Sequence, residues 1–118
     1  GIVSGGGIAL LGISKQMQYG NDEESRVAWH ILKHALQSPF YQILENGGLK
    51  LSANDVDLMG VRGKGINVAT GEAVDMITAG IIDPAKITIT ALSNAVSVAT
   101  TLLSTNCVIT NARANGNN

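Results

Sequence analysis

"AKITITALSNAVSVATTLLSTN", residues 85–106, decides what kind of fold this chain has. Its opening, Ile87-Thr88-Ile89-Thr90, alternates apolar and polar residues as a half-buried strand does. Beyond it, Leu92, Ala95, Val96, Ala99 and Leu102 or Leu103 recur at helical spacing. Length arbitrates: strands run to about 4–8 residues, so the segment predicts a long helix. Its start is marked in "GIIDPAK" (80–86), where Asp83 reads as the N-cap and Pro84 as the first helical position.

Upstream, four further helices are expected. "GGGIALLGISKQM" (5–17) carries Ile8, Leu11 and the stem of Lys15 at helical spacing, with Ser4 and the glycines at its start and Gly12 open to a close neighbour. "NDEESRVAWHILKHAL" (21–36) is the clearest: Asn21 or Asp22 caps it, and Asp22, Glu23 and Glu24 match the helix dipole. Its apolar stripe reads as Val27, Ile31 and Ala35, broadened by Ala28 and Leu32. Ser38-Pro39 repeats a start signal for a further helix that stops at Asn46-Gly47, which reads as a left-handed cap. "SANDVDLMG" (52–60) predicts a short helix opened by Ser52, with Asp55 completing a capping-box variant.

Between these and the long helix, glycines 60, 63, 65 and 71 break helical order, and "INVA" and "EAVD" around Thr70-Gly71 predict a β-hairpin near 65–75. "CVIT" (107–110) predicts a short C-terminal strand near 106–110. The fold class is mainly α, with residues 1–110 in one body and a disordered polar tail at 111–118.

Composition narrows the function. The 118 residues suit one domain or part of one, and with 45% hydrophobic but only 3% aromatic residues the core is expected to be aliphatic. Eight basic and nine acidic residues form no basic stripe, which argues against nucleic acid as a partner. The single cysteine, Cys107, precludes an internal disulfide, fits a reducing compartment and reads as buried rather than nucleophilic. No uninterrupted apolar run reaches the ~20 residues of a membrane span, so no membrane partner is expected. The apolar, glycine-rich start lacks the basic leader of a signal peptide and reads as a piece cut from a longer protein.

No familiar reaction centre survives inspection. His30 and His34 stand one turn apart, but Ile31 replaces the glutamate of the zinc-protease pattern and no further ligands follow. They read as solvated residues, with a small helical metal protein as the minor alternative. "DVDLMG" (55–60) fails as a calcium loop at Met59 and Ile66. "GVRGKG" (60–65) fails as a phosphate loop at Leu58 and Gly65. Catalytic and metal residues are therefore expected to be absent from this chain.

Three stretches, "GIVSGGGIALL" (1–11), "NVATGEAVDMITAGIIDPAKI" (67–87) and "ALSNAVSVATTLLSTNCVIT" (91–110), in this order and spacing, resemble the C-terminal part of a group I, GroEL-type chaperonin. The group II chaperonins share the triple glycine and a "VDM" stretch, whereas "GIIDPAK" with "SVATTLLSTNCVIT" favours group I. The resemblance implies the second half of an equatorial domain, which in that family binds ATP and forms contacts within and between two stacked rings. It implies that Gly6 lies against the nucleotide, that Asn67, Val68 and Ala69 contact the adenine, and that Asp83 binds the ribose. The residue chemistry agrees: Gly6 allows close backbone approach, Asn67 offers donor and acceptor, and an ionised Asp83 can accept from both ribose hydroxyls.

Ile66 stands where an aromatic is usual, Val68 replaces a usual alanine, and the tail lacks Gly-Met repeats. The family's phosphate loop, its magnesium-binding aspartate, its water-positioning aspartate and its apical domain have no counterpart in these residues. The resemblance thus implies a piece of an ATP-driven, homo-oligomeric folding machine induced by stress. The parent would take ATP with Mg, a co-chaperonin lid and unfolded clients, in a bacterial cytoplasm or an organelle matrix. The piece itself would turn over no ATP. The other expectation is a non-catalytic, self-associating module that uses the apolar faces left uncovered.

Overall fold

The computed structural model describes the backbone of residues 1–116 and the side-chain surroundings of residues 1–105. Two units are distinguished: residues 2–83, and a second unit built on the long helix that follows. The elements run in the order β1 (Ile2–Ser4), α1 (Ile8–Gln16), α2 (Glu23–Asn46), α3 (Ala53–Leu58), β2 (Lys64–Asn67), β3 (Glu72–Asp75) and β4 (Ile82–Pro84), all but Pro84 in the first unit. The second unit is Gly1, Pro84 and α4, Ala85–Gly116. The chain is mainly α, with two small two-stranded sheets, β1 with β4 and β2 with β3.

The core lies between α1, α2 and the β2–β3 hairpin. Ile8, Leu11, Phe40, Leu44, Met59, Ile66 and Met76 form one buried cluster, edged by Leu49, Leu51, Val74 and Ile81. It is less purely aliphatic than the composition suggested, because Phe40 and the methionines fill its centre. Gly12 packs against the Gly60 backbone: a Cβ there would lie 2.8 Å from the Gly60 carbonyl oxygen. Lys15 leaves the core with its stem and donates through Nζ to the carbonyls of Val56, Asp57 and Met59 at 2.6, 3.0 and 2.5 Å. It thereby caps the C-terminal end of α3. Desolvation of the ammonium pushes its pKa down from 10.5, against the opposing pull of Asp57.

The caps of α2 and α3 form as expected. Asp22 accepts from the Ser25 amide at 3.0 Å and from its hydroxyl at 2.7 Å, and these bonds hold its carboxyl below the usual 3.8. Ser52 accepts from the Asp55 amide at 3.2 Å and donates to the Asp55 carboxylate at 2.6 Å. The hairpin is antiparallel, with Lys64 opposite Asp75, Gly65 opposite Val74, Ile66 opposite Ala73 and Asn67 opposite Glu72.

Several expectations are corrected. Pro39 does not begin a helix; it lies inside α2, which runs unbroken through it. A proline there forgoes one helical bond and costs about 3 kcal/mol, but Leu36, Phe40 and Leu44 are buried on both sides of it and each is worth ~1.5–3 kcal/mol. The left-handed residue past α2 is Gly48 (φ 68°), while Gly47 stays right-handed at φ −83°. The packed face of α2 is also not the aliphatic stripe. Val27 and Ile31 are 54% and 67% exposed, whereas Trp29, Lys33 and Gln37 are half-buried and Phe40 is 1% exposed.

The segment 85–106 is helical as its length predicted, but the helix starts at Ala85, after Pro84 has closed β4. It continues through 107–110, so the expected C-terminal strand is not formed, and it runs on to Gly116 through the stretch read as a disordered tail. The Cys107 side chain lies outside the residues whose surroundings are described. Within α4, Ala85–Thr105 is long and apolar enough to cross a membrane by length and composition alone, with mean hydropathy 1.4 and none of that window buried. Threonines and serines interrupt the run in sequence, but no charge falls between Lys86 and Arg113.

Candidate functional site

The triple glycine forms the turn from β1 into α1, and each of its members is fitted to a particular neighbour. The Gly5 amide donates to the Ile81 carbonyl at 2.9 Å, and a Cβ on Gly5 would lie 3.1 Å from that same oxygen. Gly7 is left-handed at φ +77°, and a Cβ there would stand 2.7 Å from the Phe40 nitrogen and 2.8 Å from its Cα. Gly6, also left-handed at φ +64°, differs: its missing Cβ would meet only the Cε of Met76, at 2.8 Å. Of the three, Gly6 alone faces the end of a side chain rather than fixed backbone, its Cβ side turned to the buried Met76.

Met76 is the hub of this region and carries no signal of its own in the sequence. Its side chain also fills the space over Gly65, where a Cβ would lie 2.7 Å from its Sδ. Its amide donates to the Gly63 carbonyl at 3.0 Å and its carbonyl accepts from Ile81 at 2.9 Å. The glycine turn, the hairpin and the approach to β4 are therefore joined through one buried residue. Asp75 holds the following turn by accepting from the Thr78 amide at 2.9 Å, which lowers its carboxyl pKa from 3.8. A D-x-x-T pattern after a strand is the sequence signal that marks such a turn.

At the hairpin end, Asn67 is half-committed. Its side-chain oxygen accepts from the Ala69 amide at 3.0 Å, and its backbone carbonyl accepts from Thr70 and Gly71 at 3.2 and 2.7 Å. The side-chain NH2 donors are the part still available for a base edge. Val68 turns toward the end of α2, where its Cγ1 occupies the space beside the Gly47 backbone, so it offers a ligand its backbone rather than its isopropyl group. Ala69 is exposed. Ile66 is 5% exposed and belongs to the core, so the residue preceding Asn67 serves packing here rather than a ligand.

Asp83 lies in β4, paired with β1, and is exposed. The capping bond expected of it is not made at Ala85, whose amide instead donates to the Gly1 carbonyl at 2.9 Å. Among the described residues the Asp83 carboxylate is free. A free carboxylate on a fixed strand suits a vicinal diol, since it can accept from two neighbouring hydroxyls at once.

A cleft of about 480 Å³ lies elsewhere, bounded by Tyr41, Leu44, Glu45, Leu49, Leu51 and Val56. No group of three or more potential metal ligands occurs among the described residues. Met76 thus ties the glycine turn to strand β2 at Gly65 and to the approach to β4 at Ile81. Residues 1–113 match the family model of the TCP-1/cpn60 chaperonin family.

Proposed function

Because the chain belongs to the TCP-1/cpn60 chaperonin family, we propose that it is the C-terminal half of a group I equatorial domain and carries the nucleoside side of an ATP site. Gly6 lies under the nucleotide, Asn67, Val68 and Ala69 meet the adenine, and Asp83 takes the ribose hydroxyls. The observation that supports this most is the free, exposed Asp83 carboxylate on β4, held next to the glycine turn by the Gly5–Ile81 bond. Of the assigned residues, Asp83 and the Asn67 amide offer free polar groups to a nucleoside, whereas Gly6 and Val68 contribute backbone only.

The parent is a homo-oligomeric double ring that hydrolyses ATP to enclose and fold unfolded proteins under a co-chaperonin lid. It acts in a bacterial cytoplasm or an organelle matrix. The bound nucleotide with its magnesium ion supplies the phosphoryl chemistry, and the groups that position and neutralise phosphates come from outside these residues. What this chain does is orient the nucleoside.

Phosphate-release measurements with ATP and Mg2+ are therefore expected to give the rate of a heat-denatured control. Metal-dependent turnover above that control would contradict the assignment. A second reading, that the chain acts as a self-associating module, is favoured by the exposed Val27, Ile31 and Leu32 on α2 and Ile87, Ile89, Leu102 and Leu103 on α4. Light scattering separates the two, because a monomer at high concentration removes the second reading and leaves the first intact.

A further inference from the structure

We infer that His30 and His34 form a two-imidazole chelate for a divalent transition cation, Cu2+ in preference to Zn2+. The helix α2 runs unbroken through both positions, so side chains four residues apart stand on one face with Cβ atoms about 5–6 Å apart. Both imidazoles are exposed, and neither is engaged in a hydrogen bond among the described residues. The spacing is that of the two histidines in the zinc-protease helix, where one metal bridges them. Ile31 stands where that helix carries its glutamate base, so this pair holds a cation without activating a water for hydrolysis.

Imidazole nitrogen suits copper, nickel and zinc, and the affinity order among these puts Cu2+ first, whereas Mg2+ and Ca2+ require oxygen ligands. With no third ligand among the described residues, water completes the coordination shell and the cation exchanges freely. Arg26, one turn before His30, and Lys33, beside His34, add positive charge nearby and keep the site weaker than a closed structural one. This site is independent of the nucleoside face and stands or falls separately from it.

The chain carries its own reporter. Trp29 is its single tryptophan, and the His30 ring lies edge-on to it at 4.8 Å between centroids. Titration of the chain with CuCl2 is expected to quench Trp29 fluorescence saturably at one equivalent. Excess ZnCl2 restores the emission and MgCl2 does not. His30→Ala and His34→Ala each weaken the apparent affinity about tenfold or more, and the double variant abolishes saturable quenching. Calorimetry, which does not depend on Trp29, is expected to show the same losses. Copper binding of unchanged affinity in His34→Ala, or in the double variant, would overturn the assignment, as would the absence of saturable binding in the parent chain.

Discussion

Gly7→Ala is expected to lower the unfolding free energy by about 3 kcal/mol or more, a large part of the ~5–15 kcal/mol that holds a domain of this size. Two costs combine at this position. The residue is left-handed at φ +77°, which charges any L side chain roughly 1–2 kcal/mol. The new methyl would also stand 2.7 and 2.8 Å from the nitrogen and Cα of Phe40, atoms of a helix backbone that cannot yield as a side chain does. Gly48→Ala separates the two costs. It shares the left-handed conformation at φ +68°, but nothing lies within 4 Å of its Cβ position, so about 1–2 kcal/mol is expected. Denaturant unfolding followed by far-UV circular dichroism measures both. Equal losses at the two sites would show that the α1–α2 approach is not as close as described.

Phe40→Ala is expected to cost about 3–5 kcal/mol, the range for removing a fully buried aromatic side chain. Phe40 is 1% exposed and touches the core from the C-terminal half of α2, against Gly7 of the glycine turn. Its loss therefore reaches the candidate site as well as the core, because the same backbone position supports Gly7. Val27→Ala is the matched test on the same helix. At 54% exposed, it is expected to change stability by no more than ~0.5 kcal/mol. If the two substitutions cost the same, the packed face of α2 has been assigned wrongly.

That pair of variants also marks where the sequence was legible and where it was not. Helix caps were readable because they are local: Asp22 and Ser52 bond to amides three residues on, and residue type with spacing suffices to see it. The hairpin was readable for the same reason, from two short apolar runs and a Thr-Gly turn. The burial of α2 was not, because a stripe of Val27, Ile31 and Ala35 records only that one side is apolar, and the neighbours decide which side is covered. Pro39 misled because tertiary burial of Leu36, Phe40 and Leu44 outweighs a local stop signal. The pairing of β1 with β4 joins segments about eighty residues apart in sequence, and no local pattern in "IVS" or "IDP" announces it.

The candidate site was legible as residues and not as geometry. A resemblance carried by ordered motifs points to Gly6, Asn67, Val68, Ala69 and Asp83, whereas chemistry alone leaves each as a turn or a cap. The Met76 hub and the turn held by Asp75 could not be found that way, because a buried methionine between two glycines has no signature in one sequence. The folded chain changes what each residue can offer. The Asn67 acceptor is already used by Ala69, the Val68 side chain is turned to Gly47, and Asp83 is freed because Gly1 satisfies the amide it was expected to cap.

The most direct test of the nucleoside face is an amide chemical-shift map of the isotope-labelled chain, titrated with adenosine and, separately, with 2′-deoxyadenosine. The expected result is a set of perturbations confined to Gly6, Asn67, Val68, Ala69, Asp83 and their chain neighbours, weaker for the deoxynucleoside and lost in Asp83→Ala. Perturbations centred on the cleft of Tyr41, Leu44 and Leu51, or none at saturating adenosine, would contradict it.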